Sequence, residues 1–467
     1  MKILIINGSP KGDYSVTYHH TLLIQKELPA HEYDDVNIAK GIKGLERSST
    51  AFAKIMKKVE WADLLVWASP VYFNLVPSQL KRFIELISER NYDGLFVDKY
   101  CAIVMTSIHF HDQTALNYLQ GVSEDLGMKM AGRYSAYSLD FEKKESQVSL
   151  IEFAKRTFSI VENEMPVEKR FQKMEYKRFV YNPAPVMSQI KTEKKIVIIT
   201  DNMDPNSNLT KMVNRFANSF SGPVEIVNIT ELTIKGGCLG CIKCAIDYTC
   251  VYEGGKDEFN EMYRKKILGA DIVVMAGEMK DRYLSSRWKM FYDRNFFHNH
   301  APYLIKKQLI YLISGPFKQN QNLRQLFESW SEAEKVAALE FVSDDGLTSE
   351  ELDWRISTVA AQAAQLSKNY QVTQSFLGVG GMKIFRDELY GRIRFPFVAD
   401  YAYYKEHGLF DFEHNKLKYK LQYYIMMILM KFPKVRDKML KKEMKEQMIK
   451  PYRKVIAKEL SNNKILH

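Results

Sequence analysis

The feature that most constrains this chain is that it contains itself. Residues 2–6, Lys-Ile-Leu-Ile-Ile, return at 195–199 as Lys-Ile-Val-Ile-Ile, and the same offset of 193 carries Ser15-Val16-Thr17 onto Asn208-Leu209-Thr210. Further along the offset becomes 208. Ala62-Asp63-Leu64-Leu65-Val66 falls on Ala270-Asp271-Ile272-Val273-Val274, Lys81 and Phe83 fall on Lys289 and Phe291, and Thr106-Ser107 falls on Ser314-Gly315. Constant offsets over long stretches are the mark of a repeated unit. The 15 residues separating the two offsets lie between 211 and 269, where four of the five cysteines are found. The expectation is a duplicated domain whose second copy carries a cysteine loop.

Each copy alternates short apolar runs with amphipathic stretches, the pattern of a doubly wound parallel sheet. Strands are expected near 2–6, 33–38, 63–68, 100–106 and 131–138, with helices near 15–27, 48–59, 78–89, 112–126 and 144–162. The second copy repeats strands near 195–200, 223–229, 271–276, 308–314 and 336–342. Five strands with intervening helices predict an α/β fold of two tandem flavodoxin-like sheets, with ligands beyond the strands' carboxyl ends. The expected domains are 1–163, a linker 164–193 around Asn182-Pro183-Ala184-Pro185, 194–369, and a helical, basic C-terminal extension 370–467.

Composition narrows the function. No run of about 18 apolar residues exists, which excludes a transmembrane span, and the N-terminus shows no signal-peptide pattern. Five cysteines cannot build a disulfide framework and point to a metal site in a reducing, cytoplasmic compartment. The net charge of +11 is local: 401–467 carry 16 Lys/Arg against 7 Asp/Glu, while the preceding 400 residues carry 51 against 49. No nucleic-acid signature accompanies it.

Ile6-Asn7-Gly8-Ser9-Pro10-Lys11 leaves the first strand, and Ser15-Val16-Thr17 opens a helix. Hydroxyls and free N–H groups at a helix N-terminus suit a phosphate, although a plain capped turn reads the same way. Ser69-Pro70-Val71-Tyr72-Phe73-Asn74 leaves the third strand and can set an aromatic side chain and backbone N–H groups against a heterocycle. Together, NGSPK, SPVYFN and LKRFIEL resemble the NADPH-dependent FMN reductase group of flavodoxin-like proteins over roughly residues 1–140. The resemblance implies Ser9, Lys11, Ser15, Val16 and Thr17 around the FMN phosphate. It implies Pro70, Val71, Tyr72, Phe73 and Asn74 along the isoalloxazine, and Thr106 and Ser107 on a third side. Asp13-Tyr14 and Val16 depart from the family's usual glycine and asparagine. His109 and His111 either face the flavin or are solvated loop residues.

Cys238, Cys241, Cys244 and Cys250 form C-x2-C-x2-C-x5-C. Four thiolates in one short loop suit a [4Fe–4S] cluster; zinc, which favours paired knuckles with a longer spacer, and free thiols are the alternatives. Cys101, in an apolar run, reads as core. The loop, with Asp257-Glu258-Phe259 and Trp288-Lys289-Met290-Phe291-Tyr292-Asp293-Arg294, resembles the iron–sulfur flavoproteins. Where copy one has Ser69-Pro70-Val71-Tyr72, copy two has Gly277-Glu278-Met279-Lys280, and Asp201-Asn202 replace Gly8-Ser9. Flavin is therefore expected in copy one only.

The resulting expectation is an oxidoreductase moving electrons between a reduced donor, NAD(P)H or ferredoxin, FMN in copy one and a cluster in copy two, within a pseudo-dimer. A redox-sensing or electron-relay protein without turnover is the alternative. In the tail, Leu417, Leu421, Tyr424, Ile425, Ile428, Leu429 and Phe432 follow a helical stripe, and Lys431, Lys434, Arg436, Lys438, Lys441 and Lys442 follow. This end reads as a packed helical extension, a dock for an acidic carrier such as ferredoxin, or a peripheral contact with anionic lipid.

Overall fold

The computed structural model describes residues 1–177, 179–255, 257–367, 372, 374–412, 416–438, 450 and 453. Lys441 and Lys442 lie outside the described residues. The chain forms two compact units, Met1–Tyr404 and the remainder from Lys405.

The first unit holds two all-parallel five-stranded sheets. β1 (Lys2–Asn7), β2 (Glu32–Asn37), β3 (Leu64–Pro70), β4 (Tyr100–Ser107) and β5 (Lys129–Tyr137) run in the order β2-β1-β3-β4-β5. β6 (Ile196–Thr200), β7 (Val224–Asn228), β8 (Ile272–Glu278), β9 (Gln308–Ser314) and β10 (Ala338–Ser343) run β10-β9-β8-β6-β7, the same winding. β1, β3, β6 and β8 are buried along nearly their whole length, rich in Ile, Leu and Val, because helices cover both faces. The edge strand β2, Glu-Tyr-Asp-Asp-Val-Asn, is correspondingly polar. In each sheet the winding reverses beside the first strand, so the loops after strands one and three meet at the carboxyl edge.

In copy one the helices are α1 (Val16–Glu27), α2 (Ile38–Arg47), α3 (Ser49–Trp61), α4 (Ser78–Glu89), α5 (Asp112–Asp125) and α6 (Lys144–Glu162). Copy two has α7 (Asn208–Asn218), α8 (Cys244–Asp247), α9 (Phe259–Met262), α10 (Ser286–Asn295), α11 (Gln321–Ala333) and α12 (Ser349–Gln365). α2 was not expected, because Gly41 and Gly44 dilute its pattern. It forms because Asn37 Oδ1 caps it by accepting from Lys40 N–H at 3.1 Å, while Ile38, Ala39 and Leu45 are buried along one face.

α4 and α10 join the copies. One continuous core runs through the facing sides of both sheets, from Leu4, Trp67 and Phe83 to Trp288, Phe291 and Tyr311, while each outer face has its own core. Across this seam the polar contacts mirror one another at the sequence offset of 208. Ser78 N–H donates to Asp293 Oδ2 at 2.7 Å, and Ser286 N–H donates to Glu85 Oε1 at 2.6 Å. Each helix N-terminus thus receives a carboxylate from the other helix, satisfying an orphan donor and complementing the helix dipole. Lys81 pairs with Glu85 (2.7 Å) and Asp281 (3.1 Å), and Lys289 pairs with Asp293. Burial pulls the Lys81 ammonium down, but the Asp281 and Glu85 carboxylates more than offset it, leaving it above its ordinary range.

After α12, α13 (Gly381–Tyr390) and most of α14 (Val398–Glu406) belong to the first unit, with Phe385, Leu389 and Tyr404 buried. The second unit holds α15 (Leu417–Leu429) and α16 (Pro433–Lys438). Along it the expected apolar stripe is exposed, Leu417, Leu421, Tyr424, Ile425, Ile428, Leu429 and Phe432 included. Among the described residues no helix is long and apolar enough to cross a membrane.

Candidate functional site

The carboxyl edge of the first sheet opens into a cavity of about 450 Å³, within the range of cofactor sites. All twelve residues singled out from the sequence line it: Ser9, Lys11, Ser15, Val16, Thr17, Pro70, Val71, Tyr72, Phe73, Asn74, Thr106 and Ser107. Three loops bring them together.

The first loop leaves β1. Ser9 is buried; its N–H donates to Asn7 Oδ1 at 3.0 Å, and its Oγ accepts from Lys11 N–H at 3.3 Å. Ser15 Oγ accepts from Tyr18 N–H at 3.3 Å and so starts α1. The first-turn N–H groups of Val16 and Thr17 have no intrahelical acceptor, the usual seat for an anion. Thr17 Oγ1 meets Thr106 Oγ1 at 2.5 Å, tying this loop to the end of β4.

The second loop leaves β3 as a tight turn. Tyr72 N–H donates to Leu75 O at 2.7 Å, Leu75 N–H donates back at 3.1 Å, and Phe73 and Asn74 take left-handed backbone angles (φ 41° and 64°). Such angles in non-glycine residues cost energy and recur at binding sites. Phe73 stacks on Tyr292 of α10, centroids 5.6 Å apart. The Tyr72 hydroxyl is buried without a hydrogen-bond partner among the described residues. Burial, then Cys238, Asp293 and Cys241, push it well above its ordinary pKa.

The third loop follows β4 and separates the two histidines. His109 is half exposed and contacts Asp112 at 3.0 Å. His111 is buried on the cavity wall, its Nδ1 unpartnered among the described residues, and burial lowers its pKa to about 4. Buried, unpartnered polar atoms at Tyr72 and His111 mark places where a ligand would complete the hydrogen bonding.

The far wall was not anticipated. Phe296, His300 and Trp330 come from copy two, and Met382, Phe385 and Phe397 from the extension. Glu334, also lining the cavity, accepts from Tyr303 and Leu304 N–H; burial raises its carboxyl to about 7. No local motif announces these residues, because only the packing of α4 on α10 brings them to copy one.

The cysteine loop abuts the same cavity. A Cβ on Gly240 (φ 63°) would collide with the Tyr72 hydroxyl and lie 2.9 Å from Lys11 Cε, so only glycine fits. Gln79 Nε2 donates to Cys238 O at 3.2 Å, and Cys244 is 3.5 Å from Asn299 Oδ1, itself a cavity residue. Burial, then the other three cysteines, raise the Cys244 thiol. The donor set has the chemistry of an iron–sulfur ligand group. Among the described residues, however, no three cysteine, histidine or carboxylate side chains are gathered closely enough to hold a metal ion. Cys101 is fully buried in β4, as core.

The matching edge of copy two is spent. The segment Glu175–Lys177 with Phe179 and Val180 lines a cavity of about 330 Å³ there, beside Asn208, Met279 and Gly315. Ser314 Oγ and Gly315 N–H, counterparts of Thr106 and Ser107, both donate to Asp344 (2.7 and 2.8 Å). Asp201 is held by Ser285 Oγ.

Fold and site together define a flavodoxin-like α/β protein with a cofactor-sized cavity at its first switch point. Residues 1–141 match the family model of the NADPH-dependent FMN reductases, so the first sheet is that of an FMN-dependent NAD(P)H oxidoreductase. Among solved structures, the chain is similar to the flavoenzyme NAD(P)H:(acceptor) oxidoreductase FerB from Paracoccus denitrificans. That match has 15% identity and a TM-score of 0.30, over 35% of this chain and 97% of that one. It is also similar to a putative quinone reductase from Klebsiella pneumoniae (14%, TM-score 0.27, 37% and 89%). An azoreductase from Bacillus anthracis matches at 12%, TM-score 0.26, over 35% and 97%. At these identities the likeness is one of fold alone. No curated protein matches the chain.

Proposed function

We propose that FMN binds in the 450 Å³ cavity of copy one, is reduced by NAD(P)H, and exchanges electrons with a [4Fe–4S] cluster held by Cys238, Cys241, Cys244 and Cys250. The observation that carries the reading is the convergence of all three copy-one loops on one cavity that the cysteine loop also touches. Ser9, Lys11, Ser15 and the first-turn N–H groups of α1 hold the phosphate, and Pro70 to Asn74 with Thr106 and Ser107 frame the ring. FMN can take up a hydride and release electrons singly, chemistry that the protein itself lacks. The support for the cluster is its donor set, four cysteines within one short loop, and the place of that loop against Tyr72 and Lys11. Copy two binds no flavin, since the donors of Ser314 and Gly315 are already satisfied by Asp344 and Asp201 stands where copy one has Gly8. Ferredoxin is a second donor, docking on the basic C-terminal end, and the compartment is cytoplasmic.

Anaerobic purification followed by absorbance and metal analysis tests the reading. About one FMN and about four irons per chain are expected. Zinc without iron removes the cluster, and absence of flavin removes the whole proposal. FMN and iron without NAD(P)H-driven reduction of an artificial acceptor would leave a relay.

A further inference from the structure

His300 lines the cavity and carries a built-in partner for moving a proton. Its Nδ1 lies 2.7 Å from Asp400 Oδ2, and Asp400 is fully buried, held at its other oxygen by Tyr248 Oη at 3.0 Å. The imidazole is clamped against Phe385, with Phe296 and Phe397 edge-on at 5.1 and 5.3 Å. Its backbone carbonyl accepts from Tyr404 Oη at 3.1 Å. Nδ1 is therefore committed to Asp400, and Nε2 has no protein partner among the described residues in a wall that faces the cavity. An imidazole whose second nitrogen is fixed by a buried carboxylate is the arrangement used for general acid–base transfer. The surrounding wall of Phe296, Trp330, Phe385 and Phe397 is aromatic, suited to receiving a planar ring rather than to solvating a charge.

Building on the FMN reading above, we infer that this wall is the acceptor site: it stacks a planar aromatic two-electron acceptor, and His300, positioned by Asp400, delivers the proton that the reduction consumes. The balance is simple. The acceptor gains a hydride, carrying both electrons, from the reduced flavin, which is thereby oxidised. An acceptor oxygen or nitrogen gains the proton from Nε2. His300 is left neutral and is reprotonated by water, and NAD(P)H restores the flavin. Asp400 acts only through His300.

The two kinds of acceptor separate proton delivery from everything else. 1,4-Naphthoquinone needs a proton with its electrons; ferricyanide takes one electron and no proton. In the FMN-loaded protein, H300Q should lower kcat with naphthoquinone about 100-fold, within the usual range for a general acid, and leave ferricyanide turnover within about twofold. D400N should show the same split, since it leaves His300 in place but unoriented, and it carries the test should H300Q not fold. Binding supplies a readout independent of turnover. Anthraquinone-2-sulfonate, titrated calorimetrically into the oxidised protein, should bind at least about 10-fold more weakly to F385A, about 1.4 kcal/mol, and equally well to M279A. Equal loss with both acceptors, or no loss with naphthoquinone, overturns proton delivery by His300. Unchanged anthraquinone binding in F385A overturns the acceptor site. Absence of FMN from the parent protein strikes the underlying reading instead, and flavin content measured on the same samples tells the two failures apart.

Discussion

The two sheets wind identically, yet their carboxyl edges have opposite fates. In copy one the polar groups after β1, β3 and β4 face a cavity, and the buried Tyr72 hydroxyl and His111 Nδ1 remain without partners among the described residues. In copy two the donors corresponding to Thr106 and Ser107, those of Ser314 and Gly315, are consumed by Asp344, and the neighbouring Ser285 hydroxyl is spent on Asp201. The linker closes over what remains, with Asn208 Nδ2 donating to Phe179 O at 2.9 Å. A fold fixes where a ligand can bind; whether one does depends on whether the loop donors are left unspent. Copy two's carboxylates would also repel a phosphate.

The seam between the copies, by contrast, is used symmetrically, and breaking it should have the largest effect. K81M removes the cation that Asp281 and Glu85 share across the seam and leaves Glu85 with the Arg82 cation alone (3.1 Å), which should cost about 3 kcal/mol. K289M should likewise deprive Asp293 of its cation, at a similar cost. Chemical denaturation of each variant checks this. A cost confined to one lysine would mean that the mirrored contacts are not equivalent in energy.

Next comes the contrast in flavin binding itself. Y72A/N74A should weaken FMN affinity about 100-fold, near 2.8 kcal/mol, whereas M279A/K280A should leave it unchanged, both read from fluorescence titration of the stripped protein. If the second pair releases flavin and the first does not, the roles of the two copies are reversed.

How much of this was legible beforehand follows from what is local. The strands were readable because apolar runs buried on both faces admit little else. The twelve cavity residues were readable because each motif is one loop at one strand end, and the winding brings such loops together. α2 was hidden by Gly41 and Gly44, which lower helix propensity without disturbing the buried face of Ile38 and Leu45. The far wall, from Phe296 and His300 to Phe397, was invisible for another reason. It is assembled across the α4–α10 seam from residues more than 150 positions from the loops it faces. The burial of His111 and the exposure of His109, two residues apart, were likewise undecidable without the left-handed turns that separate them.

The smallest effect expected lies in the spent edge of copy two and depends on pH. Asp201 stands where copy one has Gly8, and burial raises its carboxyl to about 6, only partly opposed by the Ser285 hydroxyl and Lys280. The folded protein therefore holds this proton more tightly than the unfolded chain, whose carboxyl ionises near the ordinary value of about 3.9. Below that value both states are protonated and Asp201 costs nothing. As pH rises toward 6 the unfolded chain ionises first, and stability drains away until the folded carboxyl also ionises. Asparagine keeps an oxygen that can accept from Ser285 but cannot ionise. D201N should therefore stabilise the protein by roughly 2 kcal/mol at pH 8, with the gain fading to nothing near pH 4. Urea melts across that range measure it. A gain that is flat with pH would trace to packing instead of charge, and a loss at pH 8 would mean that copy two's edge uses the ionised carboxylate, making it less idle than its satisfied donors imply.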